Sequence, residues 1–252
     1  MLNMQIKRSL IKEFQENGFV VLEEALSASA LDALQGECLK LTNYYIEKYQ
    51  NIITDHSTLR EDHSFKLLDF FEKHANFCPR ANRKNIDLNI IRRLFNNQLF
   101  YNLAQVLLNT DERLALFQEY SIRSVVPRAF SKNITGWHQD APDKNSDLQM
   151  VVFWAPISNP DAGGLKLIPG SHKLGAVEHS DVPPFYHIKN TVLNKQLHKE
   201  VSLNLKLGDC VMFHHHMFHT ARDNLSNKIR WSIDFRFQTL TQYQEKRIGL
   251  LL

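Results

Sequence analysis

Twelve histidines occur in the chain, and what they can do depends on which of them stands beside a carboxylate in the right setting. Gly136-Trp137-His138-Gln139-Asp140 is the stretch that stands out. Run as an extended strand, it puts His138 and Asp140 on one face and turns Gln139 away. An imidazole and a carboxylate aimed into one site form part of a metal-binding face. A third ligand would complete a two-histidine, one-carboxylate set, which holds divalent iron by three corners and leaves three positions open. Two other triplets share the form, His179-Ser180-Asp181 and His198-Lys199-Glu200. The first runs into Val182-Pro183-Pro184, a loop composition, and the second sits among Lys195, Gln196 and Lys199 with no apolar strand around it. His138 is instead followed by Met150-Val151-Val152-Phe153-Trp154-Ala155, a run of strand character. The missing ligand is sought downstream, where His214, His215, His216 and His219 crowd together and spacing alone does not choose among them.

A second chemistry sits on Ile229-Arg230-Trp231-Ser232-Ile233-Asp234-Phe235-Arg236-Phe237. As a strand it shows Arg230, Ser232, Asp234 and Arg236 on one face and the large apolar groups on the other. An inward arginine needs an anion, and the guanidinium fork suits the far carboxylate of a dicarboxylate better than lysine would. Arg236 is expected in a structural ion pair instead, with Asp234 or Asp209. The glycines and Pro169 of the stretch from Gly163 to His172 are read as turn and strand-end residues without chemistry.

The elements that must position these groups change character along the chain. Ile6, Leu10 and Phe14 recur at helical steps before Gly18, which stops a helix ahead of the strand-like Phe19-Val20-Val21-Leu22. Ser27 can cap a second helix that carries Leu31, Leu34, Cys38, Leu41 and Tyr45 on one face. Two more helices are expected, one after Ser64 with Phe65 and Leu68, another after Asn97 with Phe100, Leu103 and Leu107. The polar stretches 49–62 and 76–85 read as loops, and Cys78-Pro79-Arg80 argues against regular structure there. From about Leu114, short strands are expected at 114–126, 148–157, 164–168, 201–205, 209–219 and 229–238, separated by Gly, Pro, Asn and Asp. The fold class is therefore mainly β with a helical N-terminal half: a double-stranded β-helix, a cupin-like jelly roll, flanked by α-helices. It is expected as one domain over 1–252, with mostly helical support in 1–113, the jelly-roll core in 114–238 and a C-terminal tail in 239–252.

Bulk properties narrow the function classes. The 252 residues are 43% hydrophobic, ample for a real core, and the formal charge of +3 comes without a basic run, so nothing favours nucleic acid or a membrane surface as partner. Cys38, Cys78 and Cys210 are odd in number and form no paired motif, which suits reduced thiols and a cytoplasmic location. No apolar run approaches the length of a membrane span. A small-molecule substrate is the expected partner; oligomeric state is not legible here.

Several of these stretches together resemble the phytanoyl-CoA dioxygenase-like family of iron(II)- and 2-oxoglutarate-dependent oxygenases. They are Phe14-Gln15-Glu16-Asn17-Gly18-Phe19-Val20-Val21-Leu22-Glu23, Trp137-His138-Gln139-Asp140, Gly164-Leu165-Lys166-Leu167-Ile168-Pro169-Gly170-Ser171-His172, and Gly208-Asp209 through Arg236. The resemblance implies that His219, followed by Asn224 and Arg230, is the second histidine ligand, so that His138, Asp140 and His219 hold iron(II). It implies that Arg230 grips the distal carboxylate of 2-oxoglutarate and that Arg123 and Trp154 contact the same co-substrate. Family members often have Gly-Ser after the distal histidine; Thr220-Ala221 stands here, so Thr220 or Ser232 would supply the hydroxyl. The implied reaction consumes O2, converts 2-oxoglutarate to succinate and CO2, and hydroxylates a small metabolite. Related halogenases have a small residue where Asp140 stands, so halogenation is not expected. Trp137, Arg128, Lys132, His216 and Arg222 are candidates for substrate contact. The competing expectation is a catalytically silent jelly roll that binds a metal or ligand. Because ligand imidazoles must be neutral, iron affinity is expected to fall below about pH 6.5.

Overall fold

A computed structural model describes residues 4–49, 80–82, 86–117, 119–125, 127, 136–140, 149–158, 160, 163–180, 187–226, 228–246 and 251. The first helix, α1 (Met4–Asn17), ends where the sequence says it must. Gly18 takes φ +85°, a left-handed conformation open to glycine, and its N–H closes the last turn on Phe14 O at 2.7 Å. The chain then enters β1 (Phe19–Leu22). Helix α2 (Ala28–Tyr49) starts at Ser27, whose Oγ accepts the Ala30 N–H at 3.2 Å, and buries Leu34, Cys38 and Leu41 along one face.

Helix α3 (Leu88–Phe95) has no counterpart among the expected elements. It is only eight residues long, but Asp87 caps it by accepting the Asn89 N–H at 2.9 Å, and Ile91, Leu94 and Phe95 are buried on one side. Asn97 caps the expected helix α4 (Gln98–Leu107) in the same way. The helix expected after Ser64 lies outside the described residues, as do Cys78 and Pro79.

The strands form two antiparallel sheets. The larger contains β1, β2 (Arg80–Asn82), β3 (Leu114–Leu116), β4 (Ser121–Val125), β5 (Met150–Ser158), β8 (Cys210–His214) and β10 (Arg230–Thr239), in the order β1-β8-β5-β10-β4-β2 with β3 also paired to β10. The smaller has the order β7-β6-β9, from β7 (Val201–Ser202), β6 (Leu165–Leu167) and β9 (His219–Ala221). Short helices α5 (Asn190–Leu193) and α6 (Leu240–Lys246), with 3-10 turns at Ser171–Leu174 and Leu197–Lys199, complete the described elements. Residues 1–113 carry strands as well as helices, since β1 and β2 supply the two ends of the large sheet. Two expectations need correction. Residues 80–82 do form a strand, because β4 offers them a partner that local sequence cannot show. The expected strand at 209–219 is two strands in different sheets, divided by a turn in which the Met217 N–H reaches His214 O at 2.8 Å.

Registers sort the large sheet into two faces. Phe153 and Phe235 stack at 4.5 Å, Phe95 lies 4.8 Å from Phe237, and Phe100 lies 4.9 Å from Phe153. With Ile122, Ile157, Met212 and Ile233, these groups form the core under the helices. Each such side chain contributes on the order of 1.5–3 kcal/mol by leaving water. On the other face, Asp234 pairs with Trp154 and Trp154 with Val211, while Arg236 pairs with Val152 and Val152 with Phe213. That face belongs to a second apolar cluster containing Val152, Trp154, Val211 and Phe213, closed by Leu165 and Leu167 of the small sheet. The polar residues of β10 therefore point into the space between the sheets. Among the described residues no helix is long and apolar enough to cross a membrane.

Candidate metal centre and co-substrate site

The segment 136–140 is not a strand of either sheet: the chain bends at Trp137 and Asp140 and is fixed by a single bridge at His138. The His138 N–H donates to His219 O at 3.0 Å, the His219 N–H returns to His138 O at 3.1 Å, and the Asp140 N–H donates to His215 O at 3.0 Å. Gln139 points the opposite way and is buried. Its amide donates to Gly175 O at 2.8 Å and His216 O at 2.7 Å, and its Oε1 accepts the Val177 N–H at 3.0 Å. Gln139 thus pins the segment from behind while His138 and Asp140 face forward. Sequence reading gave it no part in the site.

The forward-facing groups meet His219 of β9. His138 Nε2 lies 4.0 Å and His219 Nε2 3.7 Å from Asp140 Oδ1, and the two rings are 4.0 Å apart between centroids. His138 Nδ1 donates to Gly136 O at 2.8 Å and His219 Nδ1 to Met217 O at 3.0 Å, because a carbonyl can only accept. Both rings are thereby held in the tautomer that aims an unprotonated Nε2 at the shared site, as a metal-binding histidine requires. The donor set fits divalent iron: two imidazoles and one carboxylate oxygen, all within 4.8 Å of one another, with no fourth ligand among the described residues.

The second histidine cluster, His214, His215 and His216, is also compact enough to hold an ion. Its chemistry fits less well. His214 Nδ1 accepts the His216 N–H at 3.0 Å, which places the neutral ring's proton on Nε2 and leaves that ring no available lone pair. No carboxylate belongs to the group. Tautomer argues against His214, and the carboxylate favours the group containing His219 over the three neighbouring histidines, a choice that spacing left open.

Electrostatics keep the triad ready for a cation. Burial, reinforced by the neighbouring His219, pushes His138 down to about 3, and burial likewise lowers His219. Burial alone would raise Asp140, but Arg236, then His219 and His138, hold its carboxyl below the usual range. Both shifts favour the neutral imidazoles that a metal needs, so proton competition with a metal begins at lower pH than ordinary histidine values imply.

Arg236 connects the triad to β4. Its Nε and Nη2 both donate to Asp140 Oδ2, at 3.2 and 2.9 Å, while Nη1 donates to Asp234 Oδ1 at 2.6 Å and to Glu119 O at 3.0 Å. Asp234 Oδ2 accepts the Ser121 hydroxyl at 2.7 Å and is ion-paired with Arg123, whose Nε lies 2.9 Å away and donates to Ser121 Oγ at 2.8 Å. The expected pairing of Arg236 with Asp234 is present, whereas Asp209 instead accepts the Glu24 and Lys206 N–H groups. The bond from Arg236 to Asp140 had no local signal.

Arg230 is 2% exposed, and its guanidinium carbon lies 5.4 Å from the centre of the Trp154 ring. Ser232, 1% exposed, stands between it and Asp234 on the same face of β10. Asn224 shapes the approach to β10 by donating to Val125 O at 2.9 Å and Lys228 O at 2.6 Å. Thr220 is elsewhere. It pairs with Lys166 on the face of β9 opposite His219 and Ala221, so Ser232 is the hydroxyl on the interior side. Of the substrate candidates, Trp137 packs against the cluster of Ile168, Ile188, Leu193 and Phe218, and Arg222 donates to Asn204 Oδ1 at 3.0 Å. His216 is half-buried, with its ring 4.0 Å from that of His215. Arg128 and Lys132 lie outside the described residues.

The sequence profile of the phytanoyl-CoA dioxygenase (PhyH) family matches residues 14–232. The chain belongs to that family. Solved structures with the same fold include the epimerase SnoN from nogalamycin biosynthesis, in complex with Fe3+, alpha ketoglutarate and nogalamycin RO. It is 18% identical, with TM-score 0.64, covering 95% of this chain and 86% of its own. EctD from S. alaskensis, with 2-oxoglutarate and 5-hydroxyectoine, is 17% identical with TM-score 0.66, covering 95% of this chain and 77% of its own. The carbocyclase SnoK, also from nogalamycin biosynthesis, is 15% identical with TM-score 0.62, covering 99% and 92%. Family membership and the His-Asp-His group together identify an oxygenase dependent on iron and 2-oxoglutarate.

Proposed function

We propose that this protein hydroxylates a small polar metabolite, with His138, Asp140 and His219 holding iron(II) and Arg230 holding the distal carboxylate of 2-oxoglutarate. The observation that carries this reading is the fixed tautomer of both histidines, each Nδ1 tied to a backbone carbonyl and each Nε2 turned towards Asp140 Oδ1. Iron(II) supplies the centre at which O2 is activated, at the expense of 2-oxoglutarate, which leaves as succinate and CO2. The chain's own residues do the rest. Arg230 offers a permanently charged fork in a buried place beside Trp154, which suits a carboxylate bound end-on. Ser232 adds a hydroxyl on the same face. Arg123 is ion-paired with Asp234 and close enough to the triad to lower His138 and His219, which supports reading it as a second contact to the co-substrate.

Hydroxylation is supported by the intact carboxylate at Asp140 and by the EctD neighbour, which was solved with 5-hydroxyectoine. The epimerase and carbocyclase neighbours make the outcome a matter of which substrate bond is presented to the centre. Anaerobic addition of iron(II) and 2-oxoglutarate should give a visible charge-transfer band that His138→Ala or Asp140→Ala removes. A screen of metabolites for stimulated succinate release, with mass spectrometry for a gain of one oxygen, identifies the substrate and its fate. A product formed without added oxygen would contradict hydroxylation, and a band that survives both substitutions would contradict the ligand set.

A further inference from the structure

A carboxylate can meet a metal with one oxygen or with two, and this site needs the first. Three protein donors leave three positions, enough for a chelating 2-oxo acid and O2. A second oxygen from Asp140 would take one of them. In the structure Asp140 is not left to choose. Oδ2 is held by both Nε and Nη2 of Arg236, at 3.2 and 2.9 Å, while Oδ1 alone faces His138 and His219. Arg236 is held in turn. Asp234 Oδ1 and the Glu119 carbonyl take Nη1, and Ser121 and Arg123 fix Asp234 from the other side. Arg236 is 3% exposed and Asp234 4%, so water does not compete for these bonds as it does at the surface.

We propose that Arg236, seated by Asp234, is the positioning residue that makes Asp140 a one-oxygen metal ligand. This rests on the metal reading above. A lysine cannot replace it, because one ammonium nitrogen lacks the fork that engages Asp140 and Asp234 together. The alternation of β10 supplies the arrangement: two residues apart, Asp234 and Arg236 share the interior face, and Arg236 reaches across to the 136–140 segment.

The test is a double-substitution cycle read by cobalt(II) affinity and cobalt visible absorption, with no turnover required. Arg236→Gln should weaken cobalt(II) binding by roughly ten- to a hundredfold, the usual effect of losing an outer-shell partner, and alter the absorption bands. In the Asp140→Ala background the same substitution should change affinity by less than about twofold, since its target is gone. Arg236→Lys should restore at most part of the affinity and none of the native band shape. Equal losses in the two backgrounds would show that Arg236 acts on the fold at large and overturn the proposal. So would a native spectrum in Arg236→Lys. Should Arg236→Gln not fold, Asp234→Asn with Arg236 in place answers the same question, and an unaltered spectrum there is equally fatal. If Asp140→Ala itself leaves cobalt binding unchanged, the metal reading fails, an outcome distinct from failure of this one.

Discussion

At the scale of single residues, the site separates groups that touch ligands from groups that hold those groups still. Arg230 belongs to the first kind. Arg230→Ala should weaken 2-oxoglutarate binding by on the order of 2–5 kcal/mol, the cost of removing one partner from a buried charged pair, and leave metal affinity nearly unchanged. Calorimetric titration of the metal-loaded protein under anaerobic conditions measures it, and full co-substrate affinity in the variant would remove Arg230 from its assigned place. Gln139, Arg236 and Asp234 belong to the second kind. Apart from the Asp234–Arg236 pair on one strand, their partners lie 36 to 117 residues away, such as Gln139 with Gly175 and Arg236 with the Glu119 carbonyl.

At the scale of elements, the turn between β8 and β9 and the end of α1 are built as one junction. The His214 N–H donates to Gly18 O at 2.8 Å, so the last residue of β8 is fastened to the point where α1 becomes β1. The turn that follows delivers His219 to the small sheet. Its start is secured because Ser171 Oγ accepts the Phe218 N–H at 2.9 Å. Gly18 is essential to this junction on two counts. Its φ is +85°, and a Cβ there would stand 2.3 Å from His172 Nδ1 and 2.4 Å from Met217 Cε. Gly18→Ala should cost about 1–3 kcal/mol from forced repacking, seen as a lower denaturant midpoint at unchanged slope. Because Met217 O also anchors the His219 ring, the variant should bind metal more weakly as well. An unchanged midpoint would mean that His172 and Met217 yield freely.

At the scale of the whole molecule, buried neutral histidines make stability depend on pH. Burial, aided by neighbouring histidines, pushes His214 down to about 2 and His215 to about 3, and His138 is likewise low at about 3. In the unfolded chain each takes up a proton near its ordinary value of about 6.5. Between that value and the depressed one the unfolded state therefore binds more protons, and stability falls as pH falls, by up to about 1.4 kcal/mol per pH unit per group. Asp140 and Asp234, also lowered, act in the same direction only below their ordinary range near 3.8. Denaturant melts at pH 7.5 and pH 5.5 should show a loss on the order of 4 kcal/mol for the metal-free protein, about 1.4 kcal/mol from each of the three rings. Metal affinity of the folded state should change far less than that of a histidine with an ordinary pKa over the same interval. Equal stability at the two pH values would contradict the burial assigned to these rings.

The amino-acid sequence by itself determined what is local. Gly18 as a helix stop, Ser27 and Asn97 as helix caps, the alternation that turns Arg230, Ser232, Asp234 and Arg236 to one side, and the shared face of His138 and Asp140 all follow from short-range geometry. Helix α3 was within reach, since Asp87 and the spacing of Ile91, Leu94 and Phe95 are ordinary signals. Tertiary structure decided the rest. The pairing of residues 80–82 with β4, the division of 209–219 between two sheets, the face on which Thr220 lies and the second partner of Arg236 depend on segments distant in the chain. Spacing along a strand says which side chains lie together, but hydrogen bonds and ion pairs across the fold decide which atom of each is left to act.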